Sequence, residues 1–251
     1  MSDQLTIYGV PFSQPVRAVL WLMLYKQKPF NLAMVNPGSS SEGGSRHPDF
    51  LAKFPTGTIP SIEDKETGFV LSESHAIMCY LCNKFDWDDL YPKNHEQRAK
   101  VDSYLHLHHR NVREASIGLV APKVRKDLNF PEDFLKISQA NIDKAFKAIE
   151  DGWLSKSRYL IGDQLTIADM SAYVEIGQLQ SKFTNIYDFE SFPNIRRWLE
   201  DMNQVAYHDE IHTSLYELGD ISTEAPAMEK IISANKKGFM VIQQELEDMK
   251  K

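Results

Sequence analysis

Strand-like and helix-like segments alternate through the first 85 residues of this 251-residue chain, and no convincing strand pattern follows them. That order confines the chain to a small α/β layer with a mixed sheet, followed by an all-helical region. Leu5-Thr6-Ile7-Tyr8 is a short β-favouring run closed by Gly9 and Pro11. Ser13-Gln14-Pro15 opens an apolar helical stretch, Val16 to Tyr25, with Ser13 at the N-cap and Pro15 tolerated in the first turn. Phe30 to Val35 reads as a second strand, residues 36–47 as a Gly/Ser-rich loop and His47 to Phe54 as a short helix. Ile59-Pro60-Ser61-Ile62-Glu63 and Phe69-Val70-Leu71 predict two strands joined by the turn Asp64–Gly68, after which Ser74 caps a helix from His75 to about Phe85. Beyond a linker at residues 86–94, apolar residues at helical spacing fill His95–Lys126, Pro131–Leu154, Thr166–Lys182 and Phe192–Met202. Further helical stretches lie near Asp209–Leu218 and Ala225–Met249. The expected domains are therefore residues 1–85 and 95–251.

Charge follows the same division. Acidic and basic residues balance before residue 86, so the whole net charge of −7 falls in the remainder. That sign argues against nucleic acid as the main partner. No apolar run reaches the ~18 residues of a membrane-spanning helix, and the start, MSDQLTIYGV, carries no secretory pattern. Two cysteines make no disulfide framework, so a cytoplasmic protein is expected. Cys79 and Cys82 sit inside an apolar helix and read as core residues. His106, His108 and His109 crowd one stretch without a carboxylate partner nearby, and no metal is expected.

Five short motifs recur in a fixed order. Val10-Pro11-Phe12-Ser13-Gln14-Pro15-Val16-Arg17-Ala18-Val19 is the first, and Phe54-Pro55-Thr56-Gly57-Thr58-Ile59-Pro60 the second. Leu71-Ser72-Glu73-Ser74-His75-Ala76-Ile77 and Arg98-Ala99-Lys100-Val101-Asp102-Ser103-Tyr104-Leu105 follow, and Leu165-Thr166-Ile167-Ala168-Asp169-Met170 closes the set. Together they make residues 5 to about 205 resemble cytosolic glutathione transferases, with the Ser-Gln-Pro-x-Arg-Ala-Val phrase closest to the theta class. The resemblance implies a thioredoxin-like α/β N-terminal domain and an all-α C-terminal domain. It also implies glutathione as co-substrate, a small hydrophobic electrophile or an organic peroxide as its partner in reaction, and a homodimer.

A free thiol titrates near ~8.5, yet the thiolate is the nucleophile. Ser13, just before a helix N-terminus, supplies a hydroxyl where the helix dipole already favours negative charge. Its Oγ is expected to accept a backbone N–H as a cap while donating its hydrogen to sulfur. Lowering a thiol pKa by two units corresponds to ~2.7 kcal/mol, and one hydroxyl bond to a charged group supplies ~1.5–3 kcal/mol. Read locally, Ser13 is equally well a plain cap.

The resemblance extends to other residues. Gln14, Thr58, Ile59 and Pro60 bind glutathione, with Pro60 in a cis peptide and the Ile59 main chain pairing with the tripeptide's cysteine. Glu73 and Ser74 hold the γ-glutamyl end. Asp102 reaches its amine from the neighbouring subunit. Where theta-type proteins show a His followed by Lys or Arg for the glycyl carboxylate, this chain has Ser45-Arg46, with His47 next. Arg46 is the expected carboxylate partner, Lys53 its alternate, and weaker glutathione binding a consequence. Val10, Phe12, Leu107, Asn111 and Ala115 are the expected walls of the electrophile pocket.

Other readings compete. Tyr8 sits where tyrosine-type transferases keep their hydroxyl, although the Ser-Gln-Pro motif fits serine better. Val10, not a cysteine, occupies the position used by omega-type thiol–disulfide enzymes. The same fold also serves ligand carriers with negligible turnover and scaffold modules of translation factors. The tail beyond about Asp209 reads either as a lid over the active site or as a peripheral helix.

Overall fold

The computed structural model describes residues 5–126 and 128–251. Two compact units make up the chain. One comprises the chain through Phe85 together with Ala206–Ser214 and Asn235–Lys251; the other comprises Asp86–Val205 and Leu215–Ala234.

In the first unit, β1 (Leu5–Gly9), α1 (Gln14–Tyr25), β2 (Asn31–Met34), α2 (Pro48–Lys53), β3 (Ser61–Asp64), β4 (Phe69–Ser72) and α3 (Ser74–Lys84) follow in order. The sheet runs β2-β1-β3-β4, with β1 parallel to β2 and antiparallel to β3, and β3 antiparallel to β4. This is the thioredoxin-like layer implied by the resemblance. Ile7 and Ile62 face each other across the ladder and are fully buried, while the alternate residue Tyr8 turns its ring to Phe50 and Phe54 around α2. Gly9 has no room for a side chain, because a Cβ there would lie 2.6 Å from Val16 Cγ2. Its absence lets α1 start hard against the end of β1.

α1 is buried around its whole circumference, from Val16 to Leu24. A helix apolar on every side needs cover on every side, and the two late segments of the first unit supply part of it. Trp21 donates its indole N–H to Ala206 O (2.8 Å) and meets the rings of His208 and His212 edge-on.

Among the described residues of the second unit, every regular element is helical. α4 (His95–His108) is capped by the Asn94 side chain, which accepts from Glu96 N and Gln97 N. The expected single helical stretch His95–Lys126 is interrupted. α4 ends at His108, a wide π-type turn covers Ala115–Val120, and α5 is Ala121–Val124. The long-range bonds of this segment account for the break: Arg113 and Ser116 both donate to the buried Glu175, and Ser138 Oγ donates to Glu114 (2.7 Å). α6 (Glu132–Ala148) runs into a second π-type turn, Ile149–Trp153, and α7 (Ile167–Ile176) and α8 (Pro193–Asn203) follow. Glu150 caps α8 from a distance, accepting from Asn194 N and Ile195 N at 2.9 Å each. α9 (His208–Leu218) and α10 (Met228–Asp248) close the chain. Among the described residues no helix is long and apolar enough to cross a membrane.

Candidate functional site

The strand register gathers several of the expected residues at one end of the first unit's sheet. Tyr8 stands opposite Ser61, and Ser61 opposite Ser72. The segments continuing from that row are Gly9 to Ser13, Ile59-Pro60 leading into Ser61, and Glu73-Ser74. Met34, which pairs with Gly9, starts the loop to Arg46 from the same end. A Ser61 Oγ–Ser72 Oγ hydrogen bond of 2.7 Å ties the row together.

Ser13 is the N-cap residue of α1, with extended backbone (φ −70°, ψ 124°). Its N–H donates to Val10 O (3.0 Å) and its C=O accepts from Arg17 N (2.9 Å). The expectation that Oγ would accept a capping bond is not met, since the side chain makes none. Pro15 removes one of the two usual donors, since an N-cap side chain reaches the N–H of the second or third helical residue and proline has none at the second. The hydroxyl is thereby left for another partner. Beneath the loop lies Arg17, fully buried, whose Nη1 donates to Phe12 O at 2.6 Å. No acidic residue stands in the first turn of α1, so helix dipole and guanidinium both favour an anion at this end. Sequence reading gives Arg17 no role, although a lone arginine inside a run of Val, Ala, Leu and Trp is a signal of a buried, bonded charge. Gln14 and Val10 are buried, and Phe12 is half-buried.

Tyr8 and Lys53 are committed to a third residue. Tyr8 donates its hydroxyl to Glu63 Oε2 at 2.6 Å, and Lys53 Nζ donates to the same oxygen at 2.8 Å. Burial, followed by the bond to Glu63, pushes the phenol above its ordinary pKa. The Lys53 bond, with that from Tyr8, holds Glu63 below the usual carboxylate range. The hydroxyl hydrogen of Tyr8 is thus given to a carboxylate.

Around the Gly/Ser-rich loop, Ser45 is buried and its Oγ accepts from Gly38 N at 2.9 Å, closing the loop on itself. His47 caps α2, its Nδ1 accepting from Asp49 N at 3.3 Å. Arg46, between them, is exposed. Gly57 has φ +60°, and a Cβ there would come within 2.8 Å of Ser45 O and 3.1 Å of Arg46 Cδ. Only glycine fits, and the fit lays the Arg46 stem beside the turn that leads into Thr58-Ile59-Pro60. The Ile59–Pro60 peptide is cis, the conformation the resemblance implies. Thr58 is exposed, Ile59 half-buried and Pro60 buried.

Glu73, not Ser74 as expected, is the N-cap residue of α3; Ser74 is the first residue of the helix and is buried. Glu73 holds φ +76° and ψ 112°, a backbone conformation that costs a non-glycine residue on the order of 1–3 kcal/mol. It places an exposed acid and the N-terminal turn of α3 just beyond the end of β4.

Four expected residues belong to the second unit. Asp102 is half-buried and accepts from Tyr91 OH at 2.8 Å. Leu107 is exposed on α4, and Asn111 Nδ2 donates to Leu107 O at 2.8 Å. Ala115 is fully buried at the opening of the first π-type turn.

Known proteins resemble both units. The family profile for the glutathione S-transferase N-terminal domain matches residues 7–92, and that for the C-terminal domain matches residues 98–205. Glutathione S-transferase theta-3 of Mus musculus is 30% identical over 200 residues, covering 77% of this chain and 80% of that relative. Glutathione S-transferase T3 of Arabidopsis thaliana is 29% identical over 230 residues, or 86% of this chain, which spans only 38% of that relative's length. Among solved structures, the apo form of human glutathione S-transferase T1-1 superposes with a TM-score of 0.74 at 24% identity, covering 96% of this chain and 99% of that one.

Proposed function

Because this chain belongs to the glutathione S-transferase family and has theta-class members among its relatives, we propose that it activates the thiol of glutathione and transfers the sulfur to small hydrophobic electrophiles. Ser13 donates its hydroxyl hydrogen to the sulfur. The thiol proton leaves to solvent, the thiolate forms the S–C bond, and the leaving group departs with the electron pair of the bond that breaks. With an organic peroxide, two glutathiones give the disulfide, water and the alcohol. Arg46 pairs with the glycyl carboxylate, the Ile59 main chain with the cysteinyl residue, and Glu73 and Ser74 with the γ-glutamyl end. Asp102 reaches its amine from a second subunit of a cytoplasmic homodimer.

The observation that carries this reading is the Ser13 hydroxyl, extended at the α1 N-terminus and not spent on capping it. Conjugation of glutathione to an aryl halide by the wild type and by Ser13→Ala tests it. A wild type that binds glutathione without turning it over would favour a ligand carrier of the same fold.

Two observations favour Arg46 over Lys53 for the carboxylate. Lys53 already serves Glu63, whereas Arg46 is exposed. Arg46→Ala is expected to raise the KM for glutathione about tenfold, the size of one charge-assisted bond at a partly wet site. Lys53→Met is expected to change it less than about twofold. Equal effects in steady-state kinetics would reverse the assignment.

A further inference from the structure

The residue before Ser13 is bonded on both sides of its backbone. Its C=O is taken by Arg17 from within α1 (2.6 Å), and its N–H donates to Asn235 Oδ1 on α10 at 3.0 Å, across 223 positions of sequence. One turn further along α10, Gly238 packs against the same loop. A Cβ at Gly238 would lie 3.0 Å from Pro11 Cβ and 2.2 Å from Ser214 Oγ. Glycine is a poor helix former beside alanine, and here the missing side chain is what allows the approach. Asn235 is also a poor helix former. Both lie on the buried side of α10, which continues through Ile242 and Leu246. Two weak helix residues three apart on one face both meet Pro11-Phe12, and Gly238 also meets Ser214.

We propose that Asn235 is a positioning residue for Ser13: by holding the Phe12 N–H it fixes the peptide that aims the serine hydroxyl. The inference rests on the reading of Ser13 given above. The C-terminal segment therefore takes part in thiol activation through the backbone, without touching the sulfur. Neutral hydrogen bonds of this kind correspond to roughly a five- to tenfold effect.

The test compares the full-length wild type, Asn235→Ala, Asn235→Asp and Ser13→Ala in aryl-halide conjugation across pH, with hydrogen exchange at the Phe12 amide. Asn235→Ala is expected to lower kcat about five- to tenfold, and to move the apparent thiol pKa up by about half to one unit. The KM for glutathione should stay within about twofold. Asn235→Asp keeps an acceptor for the Phe12 N–H and should restore most of the rate and the protection of that amide. A lower melting temperature with an unmoved pH profile in Asn235→Ala would make α10 mere packing and overturn the inference. Asn235→Ser, whose hydroxyl falls short of the Phe12 N–H, carries the same expectation and serves if the alanine variant does not fold. If Ser13→Ala shifts the profile and Asn235→Ala does not, this inference alone fails; if neither shifts it, the reading of Ser13 fails too.

Discussion

Ser13→Ala is expected to lower kcat for glutathione conjugation by about 100-fold while leaving the KM for glutathione within about threefold, and to raise the pKa of the bound thiol by about two units. The split between the two constants follows from where the other contacts lie. Arg46, Ile59, Glu73 and Ser74 stand on three other segments leaving the same end of the sheet, so the tripeptide keeps its grip when one hydroxyl goes. The hydroxyl acts on the charge of the sulfur alone, and ~2.7 kcal/mol of preference for the thiolate is two powers of ten in its ionisation constant, seen in full at pH below both pKa values. The α1 N-terminus and Arg17 survive the mutation, which is why the expected loss stops at that level. Thiolate absorbance in the binary complex, titrated with pH, measures the shift directly. A profile identical to wild type would remove Ser13 from the chemistry.

The largest expected effect on stability lies in the second unit. Asp169 is fully buried within the capping box at the start of α7. Oδ1 accepts from Leu160 N (2.8 Å) and Trp198 Nε1 (3.1 Å), and Oδ2 accepts from Thr166 N (3.0 Å) and Thr166 Oγ1 (2.9 Å). Asp169→Ala strands buried donors from three places in the chain and is expected to cost about 3–5 kcal/mol. Losing the cap alone, as in Thr166→Ala, should cost about 1 kcal/mol. Burial pushes the Asp169 carboxyl up to about 6, against the pull of its four donors. A raised acid favours the protonated folded state. Its contribution is therefore fully present below about pH 4 and is lost as the pH rises through about 6, by up to ~3 kcal/mol. Chemical denaturation at a series of pH values should show the gap between wild type and Asp169→Ala widening from neutral pH down to about 4. A constant gap would mean that the carboxyl stays ionised throughout.

Local pattern carried most of the elements. Alternation around Ile7 and Ile62, the Pro15 helix start and the all-round apolar run of α1 each needed only neighbouring residues to be read. The failures share a cause. The stretch after His108 keeps apolar residues at helical spacing, but its backbone answers to Glu175 and Ser138, far along the chain. Ser74 was the natural cap by residue type, yet the turn out of β4 makes Glu73 the cap, in a conformation that serine or glutamate chemistry does not announce. The start of α1 at Ser13 and the cis Pro60 were legible because their motifs are contiguous. Asn235 was not, because its partner is a backbone N–H 223 positions away.

Three stretches distant in sequence complete the first unit, the last of them running to Lys251. A ribosome delivers the N-terminal sheet early, but the α-helical strap of the same unit is made only after the whole second unit has been started. The Pro11-Phe12 loop can be held from this side only once Asn235 has been made, and premature termination anywhere before it would yield a polypeptide carrying the whole N-terminal sheet and still lacking that hydrogen bond.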